Sequence, residues 1–206
     1  PAAVAPKPPA TPSLAWTLDH TGQLDGTPQA VRLAMAGEAD ERRLEVSRLQ
    51  LAAGAAQANA QLLLVRNGPG ERAPWRLATT GSVVDFDPLP WWPGDADSPW
   101  RRGPHRLAGG WDFEGRLPHD AATLAPLALL QRVAGNGRIR LHESQLAGVP
   151  LSADFTLGYT QAAAPTTALL RGELRAGGNL LRLEGRADPL GSGRSDRWTA
   201  ELQGQA

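Results

Sequence analysis

Cysteine is absent from the 206 residues, which excludes disulfide staples, thiolate catalysis, zinc ribbons and iron–sulfur ligation. A chain without Cys fits an oxidising compartment. Lysine is almost absent: of 21 basic residues every one except Lys7 is Arg, a bias of base composition rather than of chemistry. The 21 acidic residues cancel the basic ones to a formal net charge of zero. That removes the overall attraction to nucleic acid or an anionic membrane surface. No apolar run approaches the roughly 20 residues a membrane helix needs, and no basic segment leads into an apolar one as in a signal peptide. Starting at Pro1, the sequence reads as an internal or C-terminal piece of a longer protein.

What is plentiful is punctuation. The 23 Gly and 18 Pro make about a fifth of the chain, against roughly 12% in average usage, and they are spread along its length as many short strands require. A hydrophobic content of 41% is compatible with a real core. Residues 1–13 are Pro/Ala-rich without apolar periodicity and are expected to be an extended linker. Residues 14–206 are expected to be one elongated β segment.

From Leu14 onward apolar residues recur with a period of two, as on a half-buried strand. Leu14, Trp16 and Leu18 begin the pattern, and Val31, Leu33 and Met35 follow the turn-like Asp25-Gly26-Thr27-Pro28. Leu44 and Val46 then lead to Leu49, Leu51 and Ala53 with a change of parity near Ser47, which predicts a bulge or turn. Leu62 with Leu64, then Trp75 to Val83, Trp111 to Leu117, and Ile139 with Leu141 continue it. The longest run is Val149, Leu151, Ala153, Phe155, Leu157 and Tyr159, alternating with Pro150, Ser152, Asp154, Thr156 and Gly158; Leu181, Leu183, Gly185 and Ala187 follow Gly177-Gly178-Asn179. These are hairpins in series.

One segment breaks the rhythm. Leu124, Leu127, Leu130 and Val133 fall three apart, with Asp120 as a start signal and Gly135 as a stop, which predicts a short helix over 122–134. The fold class expected is all-β: an elongated, mostly antiparallel sheet curled into a trough, with one short helix.

The chemistry-bearing residues form no constellation. His20, His105, His119 and His142 match no metal-ligand spacing, and His142-Glu143 lacks the second His of a zincin helix. No Gly-x-Ser-x-Gly elbow occurs, and Gly191-Ser192-Gly193 reads as a loop. Asp85 with Asp87, or Asp95 with Asp97, have the spacing of paired carboxylates but sit beside Pro88, Pro90 and Pro93, where turn-forming acids are expected. No catalytic residue, cofactor or metal is called for. Trp91, Trp92, Trp100 and Trp111 lie close together around a Pro/Gly-rich loop; such a group can plug the end of a β core, face a carbohydrate, or sit at a lipid headgroup boundary.

A long sheet that is apolar on one face must bury it against a second sheet, against itself, or against a ligand with apolar tails. In the last case Val149, Leu151, Ala153, Phe155, Leu157, Tyr159, Leu181 and Leu183 are the candidate lipid-facing residues. In the first case the same residues form the inside of a β-sandwich, and the Trp-rich loop becomes a packing or glycan-binding element.

The stretch Gly137 to Leu157, with Gly-Arg-Ile-Arg-Leu running to Leu-Ala-Gly-Val-Pro-Leu, resembles the repeated unit of the TamB family of bacterial envelope proteins, which is related to the AsmA-like proteins. Gly178-Asn179-Leu180-Leu181-Arg182-Leu183-Glu184-Gly185 followed by Asp196-Arg197-Trp198, and Trp75-Arg76-Leu77 leading to Phe86-Asp87-Pro88, are similar to further segments of that family. The resemblance implies a trough-like sheet with an apolar interior, belonging to a periplasmic protein anchored in the inner membrane. It implies a non-enzymatic role in phospholipid transport and outer-membrane assembly, with phospholipid acyl chains and a barrel protein of the TamA type as partners. The family offers no catalytic residues to carry over. The helix and the tryptophan loop depart from its pattern.

Overall fold

The computed structural model describes residues 12–23, 29–68, 70, 72–91, 97–98, 101–124, 134–160, 167–187 and 197–204. Among the described residues eleven strands follow one another: β1 (Leu14–Gln23), β2 (Ala30–Ala39), β3 (Arg43–Ala53), β4 (Ala56–Arg66), β5 (Trp75–Phe86), β6 (Leu107–Leu117), β7 (Ala134–Leu146), β8 (Val149–Thr160), β9 (Thr167–Ala176), β10 (Asn179–Ala187) and β11 (Arg197–Gln203). They form a single sheet whose spatial order is the order of the chain. Every neighbour is antiparallel, as in β1–β2 and β10–β11. At about 4.8 Å per strand the meander extends for about 50 Å. Among the described residues it does not close on itself, and it curls into a trough.

Two-residue turns set several registers. Ala147 and Gly148 have φ of 51° and 77°, and Gly177 and Gly178 have φ of 54° and 88°, so both central residues occupy the left-handed region that tight hairpins use. At the β2–β3 turn the Asp40 carboxylate accepts the backbone N–H groups of Arg42 and Arg43, each at 2.7 Å.

Bulges bend the strands. The register shifts between Val46 and Leu49 where β3 meets β4, at the parity change predicted near Ser47. Two further shifts occur in β5 between Val83 and Phe86, and in β7 between Leu141 and Ser144. In these, Asp85 and Glu143 take φ of 52° and 47°. An extra residue on one strand increases local bend and twist, and the bulges of β5 and β7 flank β6 from either side.

The interior is sparse. Among the described residues the buried hydrophobic side chains are Val46, Ala73 and Ala153, and no large side chain is fully buried. A second sheet, which the sandwich alternative requires, is not present among the described residues. Of the helix expected over 122–134, the described residues give only its start: Ala121–Thr123 is one 3-10 turn without a side-chain cap from Asp120, and Leu124 is extended. Gly135, read as a stop, lies inside β7. Residues 125–133, with Leu127, Leu130 and Val133, lie outside the described residues, as do 1–11 of the linker and the Asp25-Gly26-Thr27-Pro28 turn.

Candidate functional site

Directly paired residues of neighbouring strands share a face, so the registers assemble the apolar surface row by row. One row runs Leu18, Met35, Leu49, Ala60, Gly81, Trp111, Ile139, Phe155, Gly172, Leu183, Ala200. On one side of it run Trp16, Gly37, Val46, Leu62, Thr79, Phe113, Gly137, Leu157, Leu170, Gly185, Trp198. On the other run His20, Leu33, Leu51, Ala58, Val83, Gly109, Leu141, Ala153, Leu174, Leu181, Leu202. The only polar side chains in these three rows belong to Thr79 and His20. The bulge after Val46 keeps Leu49 and its followers on the same face as Leu44 and Val46, which settles the inward parity of the first half.

Each candidate can now be placed. Leu151, Phe155 and Leu157 are half-buried, Ala153 is buried and Val149 is exposed. Leu181 and Leu183 join the same rows through Leu174 and Gly172. Tyr159 is in register with Gly135 and Ala168. The apolar face is the better shielded: on β10 Leu181 and Leu183 are half-buried while Arg182, Glu184 and Arg186 are exposed. With no second layer above it among the described residues, that shielding comes from the curl, and the apolar face is the inside of the trough.

Six of the aromatic residues follow a rule that single-strand reading missed. Trp16 pairs with Gly37, Trp111 with Gly81, Phe113 with Gly137, Tyr159 with Gly135, Phe155 with Gly172 and Trp198 with Gly185. Where the rings are described they occupy the space a glycine leaves free. A β-carbon on Gly37 would come within 2.8 Å of Trp16 Cζ2, and one on Gly137 within 2.8 Å of Phe113 Cδ2. On Gly81 and Gly172 it would overlap the rings of Trp111 and Phe155. Rings set against glycine cover the backbone without standing up from the sheet, so the floor of the trough stays low and oily.

Trp111 is therefore a strand residue on the inner face and not part of a loop, which corrects its grouping. Trp91 ends the 3-10 turn Leu89–Trp91. Trp92 and Trp100 lie outside the described residues.

The outer face carries the charge. Arg138 binds Asp154 through Nε at 2.7 Å, Arg140 binds Asp112 at 3.0 Å, and Arg171 binds Glu184 at 2.7 Å. Glu173 takes Arg182 at 3.0 Å and Arg175 at 3.2 Å. The hydrogen bond from Arg138 holds the Asp154 carboxyl below the usual carboxylate range. Arg182 first, then Arg175, does the same for Glu173. Such exposed pairs each add little stability, but they decide which face meets water.

Three of the remaining chemistry-bearing residues have structural tasks. Asp87 Oδ1 accepts the Leu89 N–H at 2.9 Å, the turn role expected of it, and Asp85 lies 3.8 Å from Arg106. His105 Nδ1 accepts the Ala147 N–H at 3.1 Å. Among the described residues no group of three or more His, Asp or Glu is placed to hold a metal ion, and no helix is long and apolar enough to cross a membrane. One feature escaped the sequence altogether: a cavity of about 690 Å³ at one rim of the trough, lined by Glu41, Arg42, Arg66, Gly70, Arg72 and His119.

No family model, curated protein or solved structure matches the chain.

Proposed function

We propose that this chain is a non-enzymatic segment of a periplasm-spanning envelope protein of the TamB type, whose trough carries phospholipid acyl chains. The observation behind this reading is the continuous inner face: three rows across eleven strands with two polar side chains, left uncovered in a chain whose buried hydrophobics are Val46, Ala73 and Ala153 among the described residues. Covering such a surface is favourable at about 0.8 kcal/mol per methylene. An acyl chain of a dozen or more carbons therefore gains roughly 10 kcal/mol, enough to offset much of its cost of leaving a bilayer. Low friction along the track is supported by its uniformity, because Thr79 and His20 are the only polar side chains met along the three rows.

The parent protein would be anchored in the inner membrane and would meet an outer-membrane barrel protein of the TamA type, serving phospholipid transport and outer-membrane assembly. The test is lipid capture by the intact chain, read by native mass spectrometry after incubation with phospholipid vesicles. Leu151→Arg and Phe155→Arg, at half-buried positions of the inner face, are expected to abolish capture and leave strand content unchanged. Capture undiminished in both variants would overturn the proposal.

A further inference from the structure

The inner face changes character at the rim near the β2–β3 and β4–β5 turns. Its last fully apolar row there includes Leu44, Leu64 and Leu77. The next row holds Arg66 opposite Trp75, and Trp75 opposite Leu117. Arg42 continues this row, because its carbonyl accepts the Arg66 N–H at 2.8 Å, one step beyond the Arg43–Val65 pair. Hydrocarbon rows thus end in a row of arginine and tryptophan, the order of groups met on passing from the acyl region of a lipid layer to its headgroups.

Two guanidinium-bearing residues set directly opposite each other repel, and the sheet holds this pair in place by a backbone bond. Their side chains are directed by local contacts: Arg42 donates to the Gly68 carbonyl, and the Arg66 guanidinium stacks 4.4 Å from the centroid of the Trp75 ring. Arg72 and His119 complete the wall of the cavity, whose described lining includes one carboxylate, Glu41. In a chain of zero net charge this is a local concentration of cations at the mouth of an apolar groove.

We infer that this rim cavity binds the phosphate of a glycerophospholipid headgroup, with Arg42 and Arg72 as its charge partners and Trp75 at the glycerol level. The assignment rests on the acyl-chain reading of the trough and adds to it a phosphate-specific end. Arginine suits the task because its planar fork donates two parallel hydrogen bonds to a phosphate. A free phosphate offers the same oxygens, so the experiment must separate the two sources.

The intact chain is titrated with dihexanoyl-phosphatidylglycerol below its micelle concentration, with dihexanoylglycerol, and with inorganic phosphate. The phospholipid is expected to bind at least about tenfold more tightly than the diacylglycerol, with the advantage shrinking as salt is raised. In R42Q/R72Q, and independently in R72Q/H119Q, which alters only turn residues, the advantage is expected to vanish while diacylglycerol affinity stays unchanged. Equal affinities for the two lipids in the unaltered chain would overturn the headgroup site and leave the trough reading standing. Failure of both lipids to bind would overturn both. Inorganic phosphate binding as tightly as the phospholipid would overturn the headgroup assignment in favour of a free anion.

Discussion

The ring of Phe155 lies against the α-carbon of Gly172 on the neighbouring strand, so closely that a β-carbon there would overlap both the ring and the backbone oxygen of Asp154. The arrangement explains why residues of such different size face each other along the inner rows. The aromatic ring supplies the cover, and the glycine supplies the room.

Gly172→Ala is accordingly expected to destabilise the sheet by about 1–3 kcal/mol, the usual cost of forcing extra volume into a filled position. Gly158→Ala is the control: its nearest neighbour would be Asn136 Oδ1 at 3.4 Å, and the change should stay within about 0.5 kcal/mol. Urea unfolding of the two variants checks the difference, and equal midpoints would contradict this account of the inner face.

Ser144 repairs the ladder at the β7 bulge. Its hydroxyl accepts the Ala108 N–H at 2.9 Å and lies 2.9 Å from the Ala108 carbonyl oxygen and 3.0 Å from that of His142. Its residual exposure is only 3%, so no water replaces the hydroxyl easily. Ser144→Ala is expected to cost about 1–3 kcal/mol, the penalty for a buried donor left without a partner. Hydrogen exchange at the Ala108 amide should accelerate more than exchange at amides elsewhere in β6.

How far the sequence foretold this fold depended on whether a feature belongs to one strand or to several. The alternation over Val149 to Tyr159 was legible because its period lies within β8, and the parity change at Ser47 was legible because apolar residues flank it on both sides. β9 was not read from its alternation: its inner residues Ala168, Leu170, Gly172, Leu174 and Ala176 are interrupted by two small side chains and a glycine, and Leu169 sits on the opposite face. Glycine–aromatic pairing was invisible, since Gly172 and Phe155 meet only through register. The rim cavity was hidden for the same reason: Arg42, Arg66, Arg72 and His119 come together only because the meander returns their strand ends to one edge. The helix expected over 122–134 rested on leucines three apart. The described part gives a single 3-10 turn, and β7 begins before the expected stop.

Acid should weaken the outer face. Asp154 and Glu173 have carboxyls held below their usual range by Arg138 and Arg182. Their stabilising contribution is therefore complete above the unfolded values near 4 and is lost as pH falls through the lower folded values. The groups are exposed, so the effect should be modest and should shrink with added salt. Between about pH 2 and pH 7, urea midpoints of Asp154→Asn should vary less with pH than those of the unaltered chain. An unchanged pH dependence would show that the pair contributes nothing.

The central claim, that the apolar face of the sheet is an open track for acyl chains, is tested most directly by the period of lipid contact along β8. A photoreactive residue is placed in turn at positions 153 to 157 of the intact chain and irradiated with phospholipid vesicles. Covalent phospholipid adducts are expected at 153, 155 and 157 and not at 154 or 156, a period of two that only one-sided contact produces. Adducts spread equally over all five positions, or found at none, would contradict it.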